Sequence, residues 1–319
     1  MIDSGAFDDG FHEAVAIVLD LDASVARLCD ALSYGLLWRG AASPGALLLM
    51  GLESTLTGEE ALIGDPDQER GFIRLFAFPD RPSGVMRDGA QPWDIGGIFD
   101  INVRALQPIE PLHRAMSRNG FSAFAPVTAF HFAGMDVKQV VERDADGLAI
   151  ALIERLTPPL EGFEAVRGPA SLVFNSSQIV PSLAEARTFA VEALGWKPVA
   201  ESSWVHESGL NCMGFPLDVA RTRRLNVGIF QAQGRNVGSV EFIEFEGEVL
   251  DFSTAAPPDR GWTSLRFPMT NVADFIGRAS RGGCRTLSPR VVAMQPYGQV
   301  QAAAAVTPWG ARLEAYRPI

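Results

Sequence analysis

Two stretches of the chain lie over each other: Arg118-Asn119-Gly120-Phe121-Ser122-Ala123-Phe124-Ala125-Pro126 and Arg281-Gly282-Gly283-Cys284-Arg285-Thr286-Leu287-Ser288-Pro289. Each follows a segment of helical period, Ile109–Ser117 and Val272–Ser280. Each of those follows an alternating strand-like segment, Phe99–Val103 and Leu265–Met269. The shared glycine stands where a helix C-cap needs left-handed backbone. The same order occurs twice more. Val15–Leu19 precedes a helix at Ala23–Tyr34 and then Gly35, and Leu172–Val180 precedes a helix at Leu183–Leu194 and then Gly195. Ser182-Leu183-Ala184-Glu185 has a capping-box pattern, and Asp22 and Asn271 suit the N-cap in their own units.

After each glycine the helical period stops and short β-like runs follow. Val140–Ile153 reads as strand, Asp/Gly turn, strand. Asn226–Gln231 and Ser239–Phe245 flank a second Gly-containing turn. Phe72–Phe78 and Arg312–Tyr316 close the first and last units. The repeating unit is therefore β-α-β-β-β, present four times. Four strong helices are too few for a TIM barrel, and no GxGxxG follows a strand as a Rossmann fold requires.

The composition restricts the partners. The 319 residues carry 27 Lys+Arg against 38 Asp+Glu, a net charge of −11, which disfavours nucleic acid and an anionic membrane surface. No apolar run is long enough to span a bilayer, and the acidic Met1–Gly10 does not read as a secretory signal. Cys29, Cys212 and Cys284 have neither disulfide nor zinc spacing, so reduced core thiols in a cytoplasmic protein are expected.

A fourfold β-α-β-β-β array resembles the vicinal oxygen chelate superfamily, which includes glyoxalase I, bleomycin-resistance proteins and extradiol dioxygenases. Arg143-Asp144-Ala145-Asp146-Gly147 with its following strand is similar to the family's closing hairpin, and Arg312-Leu313-Glu314-Ala315-Tyr316 to its final strand. The resemblance implies an α+β fold of four βαβββ modules, paired into two cupped half-barrels. With the seam placed at Thr157-Pro158-Pro159, where prolines end strand pairing, residues 1–158 form one module pair and residues 159–319 the other.

Alternation sorts the strand faces. Phe99, Ile101 and Val103 should pack under helices, leaving Asp100, Asn102 and Arg104 for the cup. Asn175 and Ser177 fall at the positions of Asp100 and Asn102. In the fourth module Leu265, Phe267 and Met269 pack, leaving Ser264 and Arg266. The first module is apolar on both faces of Val15–Leu19. A solvated strand face accounts for these polar residues as readily as a ligand site does.

The resemblance also implies a divalent metal held by side chains on the first and last strands of a module. Glu314 occupies such a last-strand slot, with Arg74, Ala151 and Glu241 or Glu244 in the others. The first-strand slots near Phe174/Asn175 and Ser264/Leu265 contain no histidine. One carboxylate with Asn and Ser is a poor set for iron or zinc, so no metal and no cofactor is expected. A hard ion through Glu314 is the open exception. His12 reads as exposed and His113 as a helix residue. His131 and His206 fall on middle strands, and His206 loosely matches the non-ligand acid/base histidine of extradiol enzymes. There is no GxSxG and no Cys–His pair, and the scattered tryptophans read as core or seam residues and not as an aromatic box.

Two functions from different classes follow. One is an enzyme acting on a small oxygen-rich carbonyl or aromatic substrate in the C-terminal cup. His206 and Glu314 would be its catalytic groups, and Asn175, Ser177, Arg266, Tyr316, Asp100 and Asn102 its ligand contacts. The other is a metal-free protein that sequesters a small molecule, as the bleomycin-resistance relatives do. In either case the partner is a small molecule, with self-association into a homo-oligomer also compatible with the chain.

Overall fold

The computed structural model describes residues 7–81, 83–163 and 166–319. Module one comprises β1 (Glu13–Val18), α1 (Leu21–Leu32), β2 (Gly35–Ala41), α2 (Pro44–Leu49), β3 (Glu59–Gly64) and β4 (Phe72–Ala77). Module two comprises β5 (Asp100–Ala105), α3 (Ile109–Arg118), β6 (Ser122–Ala123), β7 (Thr128–Phe132), β8 (Met135–Arg143) and β9 (Ala149–Thr157). Module three comprises β10 (Ala170–Ile179), α4 (Leu183–Thr188), β11 (Lys197–Trp204), α5 (Leu217–Thr222), β12 (Leu225–Gln231) and β13 (Ser239–Phe245). Module four comprises β14 (Gly261–Pro268), α6 (Val272–Arg281), β15 (Arg285–Ala293), β16 (Gln299–Val306) and β17 (Arg312–Pro318).

Helices α1, α2, α4 and α6 begin where short polar side chains take a free backbone N–H, whereas α3 and α5 follow prolines that offer none. Ser182 accepts from Glu185 N at 3.3 Å and Asn271 from Asp274 N at 3.0 Å. In module one the cap is Asp20, which accepts from Ala23 N at 3.0 Å, and not Asp22. Regular α4 stops at Thr188 and continues as a π-helical turn, Phe189–Ala193. The sequence reading contains no counterpart of α2 or α5. Each has 6 residues, less than two turns, too short for periodicity to mark.

The first strand of each module decides the assembly. It is an edge of its own module and is apolar enough that it must be covered. β5 pairs antiparallel with β10, and β1 with β14. Modules two and three therefore share a nine-stranded sheet, and modules one and four an eight-stranded one. This corrects the expected pairing of modules one with two and three with four: a division into 1–158 and 159–319 separates strands that share a sheet in both cases. The central pair in sequence joins directly, and the outer pair joins around it. Helices from all four modules fill the space between the sheets. Leu28, Met116, Phe189 and Phe275 meet Ala14, Ile101, Val173 and Leu265 in one core. Among the described residues, no helix is long and apolar enough to cross a membrane.

The hollow of the eight-stranded sheet is filled. Ala46 and Leu47 of α2, with Met50 just after it, pack on Val15, Ile17 and Phe76, and Leu49 packs with Val300, Ala302 and Tyr316. Gly45 makes the approach possible, because a Cβ there would stand 2.5 Å from Val292 Cβ and 2.8 Å from the Ala293 carbonyl oxygen. Beneath α2 lies a chain of buried charges. Arg74 bonds Glu13 through Nε and Nη2, at 2.7 and 2.8 Å, and Glu60 through Nη1 at 2.9 Å. Arg266 bonds Glu314 at 2.6 Å and Glu13 at 3.2 Å. Ser264 and Tyr297 donate to Glu314 and Glu13 respectively. The other oxygen of Glu60 accepts from the backbone of Ser43, the N-cap of α2, at 3.0 Å.

Removing one member of such a buried set strands its partners. Arg74→Met is expected to cost about 3–5 kcal/mol in urea denaturation at neutral pH. A cost below about 1 kcal/mol, the scale of an exposed pair, would mean that the stranded carboxylates find water or new partners. Burial alone would raise the Glu13 carboxyl, but Arg74, then Arg266 and Tyr297, outweigh it and hold it at about 2 against an ordinary 4.5. A carboxyl lowered on folding stabilises fully above its unfolded pKa, and the contribution fades as pH falls through the folded value. The stability difference between the native chain and Glu13→Gln should thus be largest at pH 7 and shrink between about 4.5 and about 2. Gly45→Ala should lower the melting temperature, since α2 cannot approach β15 with a Cβ in place. An overpacking cost of about 1–3 kcal/mol is the expected scale.

Candidate functional site

The nine-stranded sheet keeps its hollow open. Strand register places Asp100, Ser177 and Glu241 in one row across β5, β10 and β13. Ala151, Asn102, Asn175 and Ser239 form the next row across β9, β5, β10 and β13. These rows floor a cavity of about 330 Å³ whose walls carry Phe130, Phe132, Met135, Val137, Trp204, Met213 and Ile243. The extra strand β7 delivers Phe130 and Phe132. A tight loop delivers Cys212 and Met213: Asn211 Oδ1 accepts from Met213 N and Phe215 N at 3.1 and 2.9 Å. Gly214, at φ +73, lets this loop close on module two, because a Cβ there would stand 2.7 Å from the Phe124 carbonyl oxygen.

The second row is hydrogen-bonded from strand to strand. Asn102 Nδ2 donates to Asn175 Oδ1 at 2.6 Å and to Ser177 Oγ at 3.1 Å, and Asn175 Nδ2 donates to Ser239 Oγ at 2.7 Å. The first row is less complete. Asp100 Oδ1 is buried without a hydrogen-bond partner among the described residues. Burial pushes the Asp100 carboxyl up to about 6, with Ser177 and Arg87 opposing. Burial, with the nearby charge of Asp100, pushes Glu241 up to about 8 against the pull of Arg104. The next polar residue along the same face of β5, beyond Asn102, is Arg104. Its guanidinium lies 4.0 Å from the centre of the Phe174 ring.

His206 stands at the cavity wall among Trp204, Phe130 and Phe215, with ring centres 5.9, 6.5 and 6.4 Å away. Burial pulls its pKa down, which favours the neutral imidazole. Asp100 and Asn102 of module two and Asn175, Ser177 and His206 of module three line this one cavity, a meeting that the expected pairing of modules would not produce. Glu314, Arg266 and Tyr316 do not line it: all three belong to the other sheet and are fully buried. The expected His206–Glu314 pair in one C-terminal cup is corrected, because those residues sit in modules that do not share a sheet. Tyr316 stacks on Tyr297 at 5.1 Å, and Glu314 is neutralised by Arg266 and Ser264. His12 is buried rather than exposed, His113 bonds Glu142 at 2.7 Å, and the exposed His131 bonds Asp136. Trp204 lines the cavity and packs against a core cluster as well.

A metal ion of the kind the resemblance implies does not fit these residues. In the open cup the amides of Asn102 and Asn175 are turned to each other and to Ser239, and neither carboxylate nor imidazole stands in their row. In the filled cup Glu13 and Glu314 are already neutralised by Arg74 and Arg266. Among the described residues, no group of three or more His, Cys, Asp or Glu side chains could hold a metal.

No protein-family profile and no curated protein sequence matches this chain. Solved structures do. Glyoxalase I from Zea mays superposes with a TM-score of 0.64 at 14% identity, over 97% of this chain and 92% of the other. A mutant of the same maize enzyme gives 0.64 at 14% identity, over 98% and 94%. A proposed dioxygenase from Bacillus subtilis gives 0.59 at 11% identity, over 98% of this chain and 86% of the other. The likeness runs through all four modules, and the chain has the fold of the vicinal oxygen chelate superfamily.

Proposed function

We propose that the protein takes a small oxygen-bearing organic molecule into the cup of modules two and three and moves a proton on it with Asp100 and Glu241, without a metal. The observation that carries this reading is the row itself: two carboxyl groups of different proton affinity face one largely apolar cavity. Such separation assigns roles near neutral pH, one group ionised as base and the other protonated as acid. Asp100 would take the proton from a carbon next to a carbonyl. The C–H electron pair becomes the new C=C bond, and Glu241 gives its proton to the carbonyl oxygen. The enol returns to the carbonyl form by the reverse transfer: Asp100 gives a proton back to the same carbon, and Glu241 takes the one on the enol oxygen. His206, as a neutral imidazole, would hydrogen-bond a polar atom of the ligand, and Asn102, Asn175 and Ser177 would keep the floor rigid.

A second reading, sequestration without turnover, draws support from the hydrogen-bonded Asn102–Asn175–Ser239 row, which holds the floor still. Exchange of carbon-bound hydrogen separates the two. Small 2-oxo acids and ketones incubated with the protein in D2O should lose proton signal next to the carbonyl, and Asp100→Asn or Glu241→Gln should stop the loss. Binding without exchange in the native chain would favour sequestration. The exchange rate should be bell-shaped in pH, rising through about 6 as Asp100 ionises and falling through about 8 as Glu241 loses its proton. Folding with a carboxyl raised this way costs stability above its pKa, so Asp100→Asn should raise the melting temperature at pH 7 while abolishing exchange.

A further inference from the structure

One wall of the same cavity is cationic in a chain whose net charge is −11. Arg104 is 5% exposed, and neither it nor Arg155 has a hydrogen-bonding or ion-pairing partner for its guanidinium among the described residues. Arg155 Nε is itself buried without a partner. Both arginines line the cavity, and both also line a recess on its outer side together with Arg70, Arg235, Asp9 and Glu161. Arg70 and Arg235 are each paired with Asp9 at 3.1 Å. Arg104 and Arg155 are the two left over. A buried guanidinium with unused donors is unfavourable unless an anion completes it.

We infer that the cavity takes a monocarboxylate, whose carboxylate docks on Arg104 while its apolar body lies against Phe130, Phe132 and Trp204. This rests on the reading that the open cup is the working site, and it names the class of molecule that enters. Phe174 covers one face of the guanidinium. The groups left for a ligand are the N–H donors in its plane, the geometry that suits a planar two-oxygen acceptor. Asp100 and Glu241 line the same cavity and repel a dianion such as a phosphate ester more than a single negative charge. Burial pulls the Arg104 pKa down to about 9, with Arg155 adding like-charge repulsion, and the negative charge of a carboxylate offsets both. Arg155 adds a second positive charge to the same wall and steers the anion inward.

The test is calorimetric titration with benzoate, phenylacetate and phenylpyruvate, each against its carboxamide, and with phenyl phosphate. At least one carboxylate should bind at millimolar concentration or below, about tenfold or more tighter than its amide, since a charge-assisted pair is worth that much. Arg104→Gln should reduce the acid-over-amide ratio to near one, and Arg104→Lys should restore only part of it. The melting temperature of Arg104→Gln should stay level or rise, because an uncompensated buried charge has been removed. No carboxylate binding, equal binding of acids and amides, tightest binding of phenyl phosphate, or a ratio that survives Arg104→Gln would each overturn the inference. A lowered melting temperature with an unchanged ratio would make Arg104 a structural residue. Absence of hydrogen exchange in the native chain, with the acid preference intact, would sink the proton-transfer reading and leave this one standing.

Discussion

The antiparallel joints between β1 and β14 and between β5 and β10 are what the rest of the molecule depends on. Each is made by strands that would be sheet edges in an isolated module. Both strands of the β5–β10 joint are buried along their whole length. Joining them places the first strands of paired modules at the centre of a continuous curved sheet, with the last strands on either side. Whatever polar residues those strands carry on the concave face must then meet at the bottom of a cup. The chain makes this joint twice and treats the two results differently.

In one cup the central residues are Glu13, Arg74, Arg266 and Glu314, and they neutralise one another. Opposite charges alternate along the row, Tyr297 and Ser264 supply further donors, and α2 closes the top through Ser43 and Gly45. The helix occupies the space a ligand would need. In the other cup the amides satisfy one another but the charges do not. Asp100, Glu241, Arg104 and Arg155 are held near a common cavity, and none of them forms a salt bridge among the described residues. Keeping such groups apart in an apolar setting costs folding energy, and the usual place to find that cost is a working site. The contrast between the paired and the unpaired cup is the strongest internal argument for where the chemistry lies.

Much of the fold was legible because it repeats. The alignment of Arg118–Pro126 with Arg281–Pro289 located the helices, and period-two alternation correctly turned Asp100, Asn102 and Arg104 toward the cup. The pairing of modules was not legible, since nothing local distinguishes a strand edge that will meet its neighbour in sequence from one that will meet the far end of the chain. That one step misplaced Glu314, Arg266 and Tyr316, although their strand faces were read correctly. Glu13 was overlooked because it opens a strand whose remaining residues are apolar on both faces. Asp20 was passed over for Asp22 because either aspartate suits an N-cap by type. Arg104 was read onto the right face, while the strand register that selects Glu241 over Glu244 was not legible; the importance of both comes from lacking partners, which only the tertiary arrangement displays.

The central claim is that one cup binds and the other only supports. A crystal structure of the protein with a bound aromatic monocarboxylate tests it most directly. The account predicts density in the cavity of modules two and three, with the carboxylate on Arg104 and the other end toward Asp100 and Glu241, and α2 unmoved in the opposite cup. A ligand lodged instead among Glu13, Arg266 and Glu314, with α2 displaced, would contradict it.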